Sequence, residues 1–429
     1  MKTSQNQGAL AGLKVIDLTQ ALAGPYCTMI LADLGADVLK IESLGGDMTR
    51  KVGPYPADDR LRVFGAYFQS VNRNKRSIAV DLKHEQGREI VKRLVRDADV
   101  LVENFRAGVM DRLGLSYETL REINPKLVYA TVRGFGDPRS GESPYADWPA
   151  FDVVAQAMGG LMGITGLQAD RPTKVGAGVG DIVPAMFLAL GVLAAVRHAE
   201  RTGEGQFVDV AMYDGVLALC ERIVYQYSYF NDVPKPEGNG VSFLCPFDVF
   251  EAADGWVSIA APGDNHWKIL CEAIGRPELG DDPRYVTNPQ RVRRAEEVRA
   301  ILREWTTART KRQIVEALGG KVPCGPVNTA KDIFEDPHPR TRGMLVPLDH
   351  PGIDRKVTIA ASPIRMSSTP TRVRSRAPLL GEDTQAVLSE LGYRPEEIES
   401  LADARVIHRE SAAALSPAGE NPSNEEGKQ

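Results

Sequence analysis

One carboxylate stands apart from the other charged side chains in the middle of the chain. Asp181 is the only charged residue between Lys174 and Arg197, and it lies directly before the apolar stretch Ile182–Val196. The glycine-rich run ahead of it removes side chains where a bulky partner could approach the carboxylate, at Gly176, Gly178 and Gly180. An aspartate just before an apolar helix is also typical of an N-cap. The local pattern is therefore compatible with a cap and with a nucleophile.

Cysteine chemistry is less strongly indicated. None of the five cysteines has metal-binding or redox spacing, and none is a favoured nucleophile: Cys27, Cys220, Cys245, Cys271 and Cys324. Scarce, odd-numbered cysteines suit reduced thiols in a cytoplasmic compartment. We expect no metal site and no permanently bound cofactor.

Length, composition and charge limit the class of protein. At 429 residues and 43% hydrophobic, the chain can bury a large core, and we expect two domains or more. Its net charge of −5 argues against broad nucleic-acid binding but is compatible with a cationic pocket for one phosphorylated ligand. The N-terminus lacks a signal-peptide pattern, and Ile182–Val196 is too short to span a bilayer. We expect a soluble cytoplasmic protein with no nucleic-acid or membrane partner.

The first half of the chain alternates short β-rich segments with amphipathic ones, which predicts an α/β, Rossmann-like domain. Strands are expected at Lys14–Leu18, Asp37–Glu42, Ser77–Leu82, Val100–Glu103 and Leu127–Arg133, and helices at Gly24–Leu34, Glu85–Arg96 and Tyr117–Ile123. The dinucleotide-binding fingerprint is missing, because Asp181 stands where the third glycine of Gly176–Asp181 should fall.

The second half predicts a smaller α+β domain between two connecting segments. Expected elements are a helix at Asp214–Phe230, a hairpin of Phe247–Glu251 with Trp256–Ala260, a helix at Arg291–Trp305 and a break at Pro323–Pro326. The resulting division is a large Rossmann-like domain over 8–213, a linker helix and glycine loop over 214–240, a small domain over 241–328, a return segment over 329–405 and a disordered tail over 406–429.

Several motifs, taken in order, resemble a known family. They are Leu22–Pro25 with Leu34–Glu42, Asn74–Ser77, Val102–Phe105 with Asp111–Gly114, Gly180-Asp181 with Thr202–Gln206, Pro323–Pro326 and Arg376–Gly381. This set resembles the family III CoA-transferases (the CaiB/BaiF type), which include formyl-CoA:oxalate and succinyl-CoA-dependent dicarboxylate CoA-transferases, with alpha-methylacyl-CoA racemase as a relative. The resemblance implies a ring-shaped protomer in an interlocked homodimer.

The resemblance also implies that Asp181 is a nucleophile. It would form a mixed anhydride with the acyl group and then a thioester with CoA. We expect no general base, because aspartate is ionised at neutral pH, and a partly shielded carboxylate near free N–H groups of the following helix. The CoA thioester is a substrate, and the contacts implied for it are Ala21, Leu22, Val80, Lys83, Asn104, Phe105, Arg112 and Leu113.

Within that set, Phe105 would line the adenine pocket, while Lys83 and Arg112 would meet phosphates. Without the resemblance, Phe105 reads equally well as a core aromatic. Contacts to the acid substrate are implied at Phe151, Asp152, Gly238 and Gly240. Asp152 is equally compatible with capping its own helix, and the Gly238–Gly240 loop with a plain connector.

Two departures from the family pattern affect the prediction. Ser43 stands where the oxalate-type enzyme has an arginine, so the lost phosphate contact would come from Arg50, Lys51 or Arg73. Phe151 stands where racemases have a histidine, and a phenyl ring cannot exchange a proton. CoA transfer, with succinyl-CoA as donor to a short carboxylic, dicarboxylic or hydroxy acid, is therefore preferred over racemisation, dehydrogenation and non-catalytic CoA binding.

Overall fold

The computed structural model describes residues 8–410, and the chain divides there into two compact units. Unit 1 comprises residues 8–159, 177–219 and 340–410, and unit 2 comprises residues 160–176 and 220–339. The predicted large domain over 8–213 is therefore interrupted, because residues 160–176 pack within unit 2. The small unit begins at Cys220 and ends at Pro339, outside the predicted limits of 241 and 328.

The strands, in chain order, are β1 (Lys14–Asp17), β2 (Asp37–Glu42), β3 (Lys75–Val80), β4 (Val100–Glu103), β5 (Val128–Arg133), β6 (Phe207–Ala211), β7 (Phe247–Ala252), β8 (Gly255–Ala260), β9 (Cys324–Pro326), β10 (Leu345–His350), β11 (Ile353–Ala360) and β12 (Ile407–His408). The helices are α1 (Ala23–Asp33), α2 (Ala66–Asn72), α3 (Glu85–Val95), α4 (Val109–Arg112), α5 (Tyr117–Ile123), α6 (Asp152–Met158), α7 (Leu161–Ile164), α8 (Val179–Thr202), α9 (Met212–Leu219), α10 (Glu221–Phe230), α11 (Asp264–Ala273), α12 (Glu278–Asp281), α13 (Asn288–Arg293), α14 (Ala295–Thr307), α15 (Lys311–Leu318), α16 (Ala330–Glu335), α17 (Pro337–Thr341), α18 (Thr384–Glu390) and α19 (Pro395–Asp403).

Unit 1 is built on a seven-stranded sheet in the order β12-β3-β2-β1-β4-β5-β6. Strands β1 to β6 are parallel, and β12 joins the β3 edge antiparallel. The parallel part has the strand order of a Rossmann fold, in which the direction of winding reverses between β1 and β4. The predicted α/β core with a parallel sheet is confirmed.

Alternation along the strands gives the sheet two different faces. Ile16, Ile41 and Val80 point into an apolar cluster that α3, α5, α18 and α19 complete. The opposite face is covered by α1 and α8, which pack on each other. Buried charged residues lie on that second face, where the Nζ of Lys75 is 2.9 Å from Asp17 Oδ2 and the Nζ of Lys40 is 3.1 Å from Asp47 Oδ2.

Helix α8 is longer than the apolar run in the sequence predicts. It spans 24 residues, and by length and composition alone it could cross a membrane. The argument that the apolar run Ile182–Val196 is too short to span a bilayer does not hold, because the helix extends beyond this run at both ends. Leu188, Val192 and Ala195 are nevertheless buried against the sheet domain, as in the core helix of a globular unit.

Unit 2 contains a three-stranded antiparallel sheet, β7-β8-β9, packed on α11, α14 and α15 around Trp267. The predicted break in the series of helices at Pro323–Pro326 contains a short strand, because Cys324 pairs with Ile259 and adds β9 to the hairpin. The predicted helix Asp214–Phe230 is two helices that meet at Cys220. The predicted helix Arg291–Trp305 is likewise divided, at Arg294.

The C-terminal segment returns to the sheet of unit 1. Ile407 pairs with Val80, and Val406 and Ile407 are buried, so a disordered tail that begins at residue 406 is wrong. Only residues 411–429 of the predicted tail lie outside the described residues.

Removing a buried side chain from α3 tests the packing of this helix in the apolar cluster of unit 1. Ile90 is fully buried in the apolar cluster, so Ile90→Ala should lower the free energy of unfolding by about 2–5 kcal/mol. The neighbouring exposed side chain supplies the control, because Glu89→Ala should change that free energy by less than about 1 kcal/mol. Equal effects of the two substitutions in chemical denaturation would contradict the assigned helix face.

Candidate active site

Two loops meet at the carboxyl ends of β1 and β4, where the winding of the sheet reverses. The side chain of Asn104, just after β4, accepts a hydrogen bond from Gln20 N and donates one to Gln20 O, both at 2.8 Å. Predicted CoA-contact residues Ala21, Leu22 and Phe105 follow directly on these two loops. Ligands of open α/β sheets bind in the crevice at such a switch point, so the fold brings these residues together at the expected place.

Asp181 lies in the first turn of α8 and is not its N-cap. The helix begins at Val179 with Gly178 as N-cap, and Asp181 N donates to Gly178 O at 3.2 Å. The side chain is half-buried, as the partly shielded carboxylate of the prediction requires. Within residues 8–410, no group hydrogen-bonds the Asp181 carboxylate. It is therefore a carboxylate without a hydrogen-bond partner in the described part of the chain.

Asp152 caps α8 from another helix. Its Oδ1 accepts hydrogen bonds from Gly180 N at 2.8 Å and from Gln156 Nε2 at 2.9 Å. The capping role considered for its own helix is wrong, because the N-cap of α6 is Phe151 and makes no side-chain cap bond. Glycine is required at 180, because a Cβ there would lie 2.5 Å from the backbone oxygen of Asp152.

Leu22 connects the β1 loop with the start of α8. A Cβ built on Gly178 would lie only 3.0 Å from Leu22 Cδ2, so glycine at 178 permits this close contact. The space left by Gly178 and Gly180 is thus filled by Leu22 and Asp152 of the protein itself, rather than left for a ligand. Only Gly176 faces open space, with nothing within 4 Å of its would-be Cβ.

The charge state of Asp181 differs from the prediction. Burial, followed by repulsion from Asp152, raises the pKa of the Asp181 carboxyl to about 7. The expectation that Asp181 is fully ionised at neutral pH is therefore wrong. Desolvation outweighs the attraction of the α8 amino terminus for negative charge. The result is a more basic and more nucleophilic carboxylate than an exposed aspartate.

The amide groups at the start of α8 are already occupied. Val179 N donates to Ala177 O at 2.8 Å, Gly180 N to Asp152 Oδ1 at 2.8 Å and Asp181 N to Gly178 O at 3.2 Å. The prediction that free N–H groups of this helix stabilise a developing oxyanion is therefore not met by these three groups.

Tyr67 of α2 is a polar neighbour that the sequence analysis missed. Burial, followed by the charges of Asp181, Asp47 and Asp152, raises the pKa of its phenol to about 12. The phenol thus stays protonated and remains a hydrogen-bond donor near the carboxylates. No local pattern marks this tyrosine, because its proximity to Asp181 arises only in the folded unit.

The predicted CoA contacts fall into three groups. Lys83 and Arg112 are exposed and available to phosphate groups. Phe105 and Leu113 are half-buried and pack against the apolar cluster of the sheet. Val80 is fully buried within β3, and its role as a CoA contact stays a prediction.

Phe105 is also held by its backbone. Its N–H donates to Glu103 Oε2 at 2.7 Å, and its carbonyl accepts from Arg133 Nε at 2.8 Å. Glu103 and Arg133 are themselves a buried ion pair. The ring is thus presented from a fixed backbone, which suits a pocket wall as well as a core position.

Arg50 and Arg73 cannot replace the phosphate contact absent at Ser43. Arg50 makes a buried bidentate ion pair with Glu42, with bonds of 2.7 and 2.6 Å, and Arg73 is held by Asp33 at 2.7 Å. Lys51 is exposed and is the remaining candidate of the three.

The predicted acid-binding residues divide between the two units. Phe151 is 61% exposed in unit 1. Gly238 and Gly240 lie in unit 2, where Gly238 N donates to Gly166 O at 2.9 Å, and a role above Asp181 stays a prediction. Among residues 8–410, no group of three or more His, Cys, Asp or Glu side chains could hold a metal ion.

Comparisons with known proteins point to one family. The family model CoA-transferase family III matches residues 10–384. The chain is 52% identical to succinyl-CoA:mesaconate CoA-transferase of Haloarcula marismortui over 385 residues, covering 90% of this chain and 97% of that protein. It is 39% identical to succinate–glutarate CoA-transferase of Agrobacterium fabrum over 392 residues, covering 89% and 95%. A solved CaiB/BaiF family protein from Brucella suis superposes with a TM-score of 0.80 at 38% identity, covering 90% and 100%.

The raised pKa of Asp181 makes a prediction about stability. Because the folded-state pKa lies above the unfolded value, the carboxyl stabilises the folded state below about pH 4, and this contribution is lost as pH rises to about 7. Asp181→Asn, which removes the buried charge, should therefore be more stable than the wild type at about pH 8, by roughly 2 kcal/mol after allowance for solvent screening. Thermal melting should show this difference shrinking towards pH 4, and a difference independent of pH would contradict the assigned pKa.

Proposed function

The chain belongs to CoA-transferase family III, and we propose that its Asp181 carries CoA between two carboxylic acids. The observation that supports this role is a half-buried carboxylate with a pKa near 7 and no hydrogen-bond partner in the described part of the chain. A structural carboxylate is normally paired, as Asp17 and Glu42 are in this unit. An unpaired, basic carboxylate beside the switch-point loops is suited to attack a thioester carbonyl.

The proposed reaction balances in four steps. An oxygen of Asp181 attacks the acyl carbonyl of the donor, and the C–S bond breaks to release the CoA thiolate with formation of a mixed anhydride. The thiolate attacks the aspartyl carbonyl and releases the donor acid, which leaves CoA as an aspartyl thioester. The acceptor carboxylate displaces the thiolate to form a second anhydride, and the thiolate then attacks the acceptor acyl carbon. Asp181 is regenerated, and no proton or external reductant is consumed.

The proposed substrates follow from the relatives. Succinyl-CoA is the proposed donor, and a short dicarboxylic acid such as mesaconate or glutarate is the proposed acceptor. A racemase reaction lacks a supporting observation, because Phe151 offers no proton-transfer group. Within the pocket, we assign Lys83 and Arg112 to phosphate groups and Phe105 to the adenine, with Lys51 as a further cation.

We assign further residues to the binding of the acid substrate and to the support of Asp181. Asp152 fixes the start of α8 and repels charge from Asp181, which keeps the nucleophile basic. The Tyr67 phenol is a donor available to the reacting carbonyl. Phe151, Gly238 and Gly240 are proposed as further contacts of the acid substrate, as the family resemblance implies.

We propose that the enzyme is a cytoplasmic homodimer of interlocked ring-shaped protomers. Support comes from apolar side chains that remain exposed on two helices. On α8 these are Met186, Phe187 and Leu190, and on α10 they are Val224, Tyr225, Tyr227, Tyr229 and Phe230. Monomeric proteins rarely leave such large side chains grouped in water, and a second copy of the chain would cover them.

Replacing the nucleophile tests the reaction. Asp181→Ala and Asp181→Asn should lower the rate of CoA exchange between succinyl-CoA and a panel of free acids by at least about 10⁴-fold, because no covalent intermediate can form. New thioesters are followed by mass spectrometry. The exposed carboxylate of α19 supplies the control, since Asp403→Asn should retain the wild-type rate. Exchange at the wild-type rate by either Asp181 variant would rule out the proposed function.

The assembly can be tested independently of activity. Sedimentation at micromolar protein concentration should give a mass of about two chains. Leu190→Asp on the exposed face of α8 should weaken the dimer without unfolding unit 1, because the side chain is 64% exposed. A wild-type protein that sediments only as a monomer would contradict the proposed dimer.

A further inference from the structure

The backbone of the loop after β1 is held residue by residue by side chains from other parts of the chain. Thr19 N donates to Asp17 Oδ1 at 2.9 Å, and Thr19 O accepts from Lys40 Nζ at 2.7 Å. Asn104 holds both the N–H and the carbonyl of Gln20, and Ala21 N donates to Asp47 Oδ1 at 3.3 Å. So many side-chain hydrogen bonds to the backbone are unusual for a loop, because the backbone N–H and carbonyl groups of loops commonly bond water instead.

Ala21 needs this fixation because of its conformation. Its φ is 65°, in the left-handed region that a residue with a Cβ rarely adopts. A non-glycine residue remains there only when its surroundings force it to, and such residues are concentrated at functional sites. At Ala21 the only side chain that bonds the backbone N–H, within residues 8–410, is Asp47.

Asp47 is in turn built into the structure. It is 1% exposed, and its Oδ2 lies 3.1 Å from the Nζ of the fully buried Lys40. Its Oδ1 also accepts from Thr49 N at 2.9 Å and from Thr49 Oγ1 at 2.8 Å, which fixes the carboxylate plane. The Lys40 ammonium, bound to Thr19 O, therefore connects both ends of the short segment Thr19–Ala21 through Asp47.

Leu22 is the residue that connects this segment to the nucleophile. It follows Ala21 directly, and its Cδ2 would lie 3.0 Å from a Cβ at Gly178, the N-cap of the helix that carries Asp181. A change in the φ of Ala21 would swing Leu22 away from Gly178 and loosen the first turn of α8. Any part of a CoA thioester bound by the loop would move as well.

We infer that Asp47 is a positioning residue for CoA transfer, which holds Ala21 in its left-handed conformation so that Leu22 braces the turn bearing Asp181. This inference rests on the proposed function of Asp181. It makes a specific prediction: the need for Asp47 should disappear when residue 21 is a glycine, because glycine adopts the left-handed region without steric opposition. A purely structural buried carboxylate would show no such dependence on residue 21.

A double-mutant cycle tests this dependence. The four proteins are the wild type, Asp47→Ala, Ala21→Gly and the double variant, and the readout is the rate of enzyme-bound CoA thioester formation on mixing with saturating succinyl-CoA. Rapid quenching and intact-protein mass spectrometry measure this rate per folded enzyme. We expect Asp47→Ala, which removes the acceptor of the Ala21 N–H, to slow it at least about tenfold with alanine at 21 and less than about threefold with glycine at 21. Equal losses in both backgrounds, or no loss in either, would overturn the inference.

Two further variants make the cycle decisive. Asp47→Glu keeps a charge for Lys40 but displaces the oxygen from Ala21 N, so it should show the same coupling. It replaces Asp47→Ala if that protein does not fold. Asp33 is equally buried, at 2% exposed. Its carboxylate bonds Arg73 and Asn74 and, within residues 8–410, makes no hydrogen bond to residues 19–22. Asp33→Ala should lower the melting temperature without any coupling to Ala21→Gly, and coupling of the same size would overturn the inference.

Failure of this inference can be told apart from failure of the proposed function. If Asp181→Asn abolishes the thioester while Asp47 and residue 21 act additively, the transfer function stands and the positioning role fails. If the wild type forms no thioester with succinyl-CoA or any other acyl-CoA of the panel, the proposed function fails and the positioning role fails with it.

Discussion

The structure depends on keeping one carboxylate partly out of water without giving it a partner. Asp181 is half-buried, carries no hydrogen bond within residues 8–410 and lies near a second carboxylate, Asp152. Ionising such a group opposes folding, so the surrounding unit must hold it in place. The packing of α8 against α1 and the sheet, together with the capping of Gly180 by Asp152, supplies that support. The same arrangement makes the carboxylate basic, which is the property that a nucleophile needs.

Two kinds of buried charge are therefore present in one unit. Asp17, Lys40 and Lys75 are enclosed and satisfied, and the structure uses them to fix the loop after β1 and the ends of the neighbouring strands. Asp181 is half-buried and has no hydrogen-bond or cationic partner within residues 8–410. Loss of hydration therefore raises the pKa of its carboxyl. The contrast separates the charges that hold the loop after β1 from the carboxylate that we propose as the nucleophile. The Lys40–Asp47 pair belongs to the first set and bonds the backbone of Ala21 through Asp47.

Much of the fold follows from local sequence, and much of the site does not. The parallel core was predictable because alternating apolar periods identify β1 to β5 and their helices, and the glycine run singles out Asp181. The cap provided by Asp152, the contact between Leu22 and Gly178 and the nearby Tyr67 were not predictable, because each joins segments far apart in the chain. The packing of residues 160–176 into unit 2 and the buried strand at Ile407 were missed for the same reason. Arg50 and Arg73 looked available to phosphate only because their carboxylate partners, Glu42 and Asp33, cannot be assigned from the sequence alone.

The central claim is that an oxygen atom of Asp181 takes part in covalent exchange, and isotope transfer tests it most directly. When the acceptor acid carries ¹⁸O in its carboxylate, the proposed steps leave one of those oxygen atoms on the regenerated aspartate. After a single turnover with succinyl-CoA, mass spectrometry of the peptide that contains Asp181 should therefore show a gain of one ¹⁸O atom. An unlabelled peptide recovered while the new CoA thioester accumulates would contradict the account.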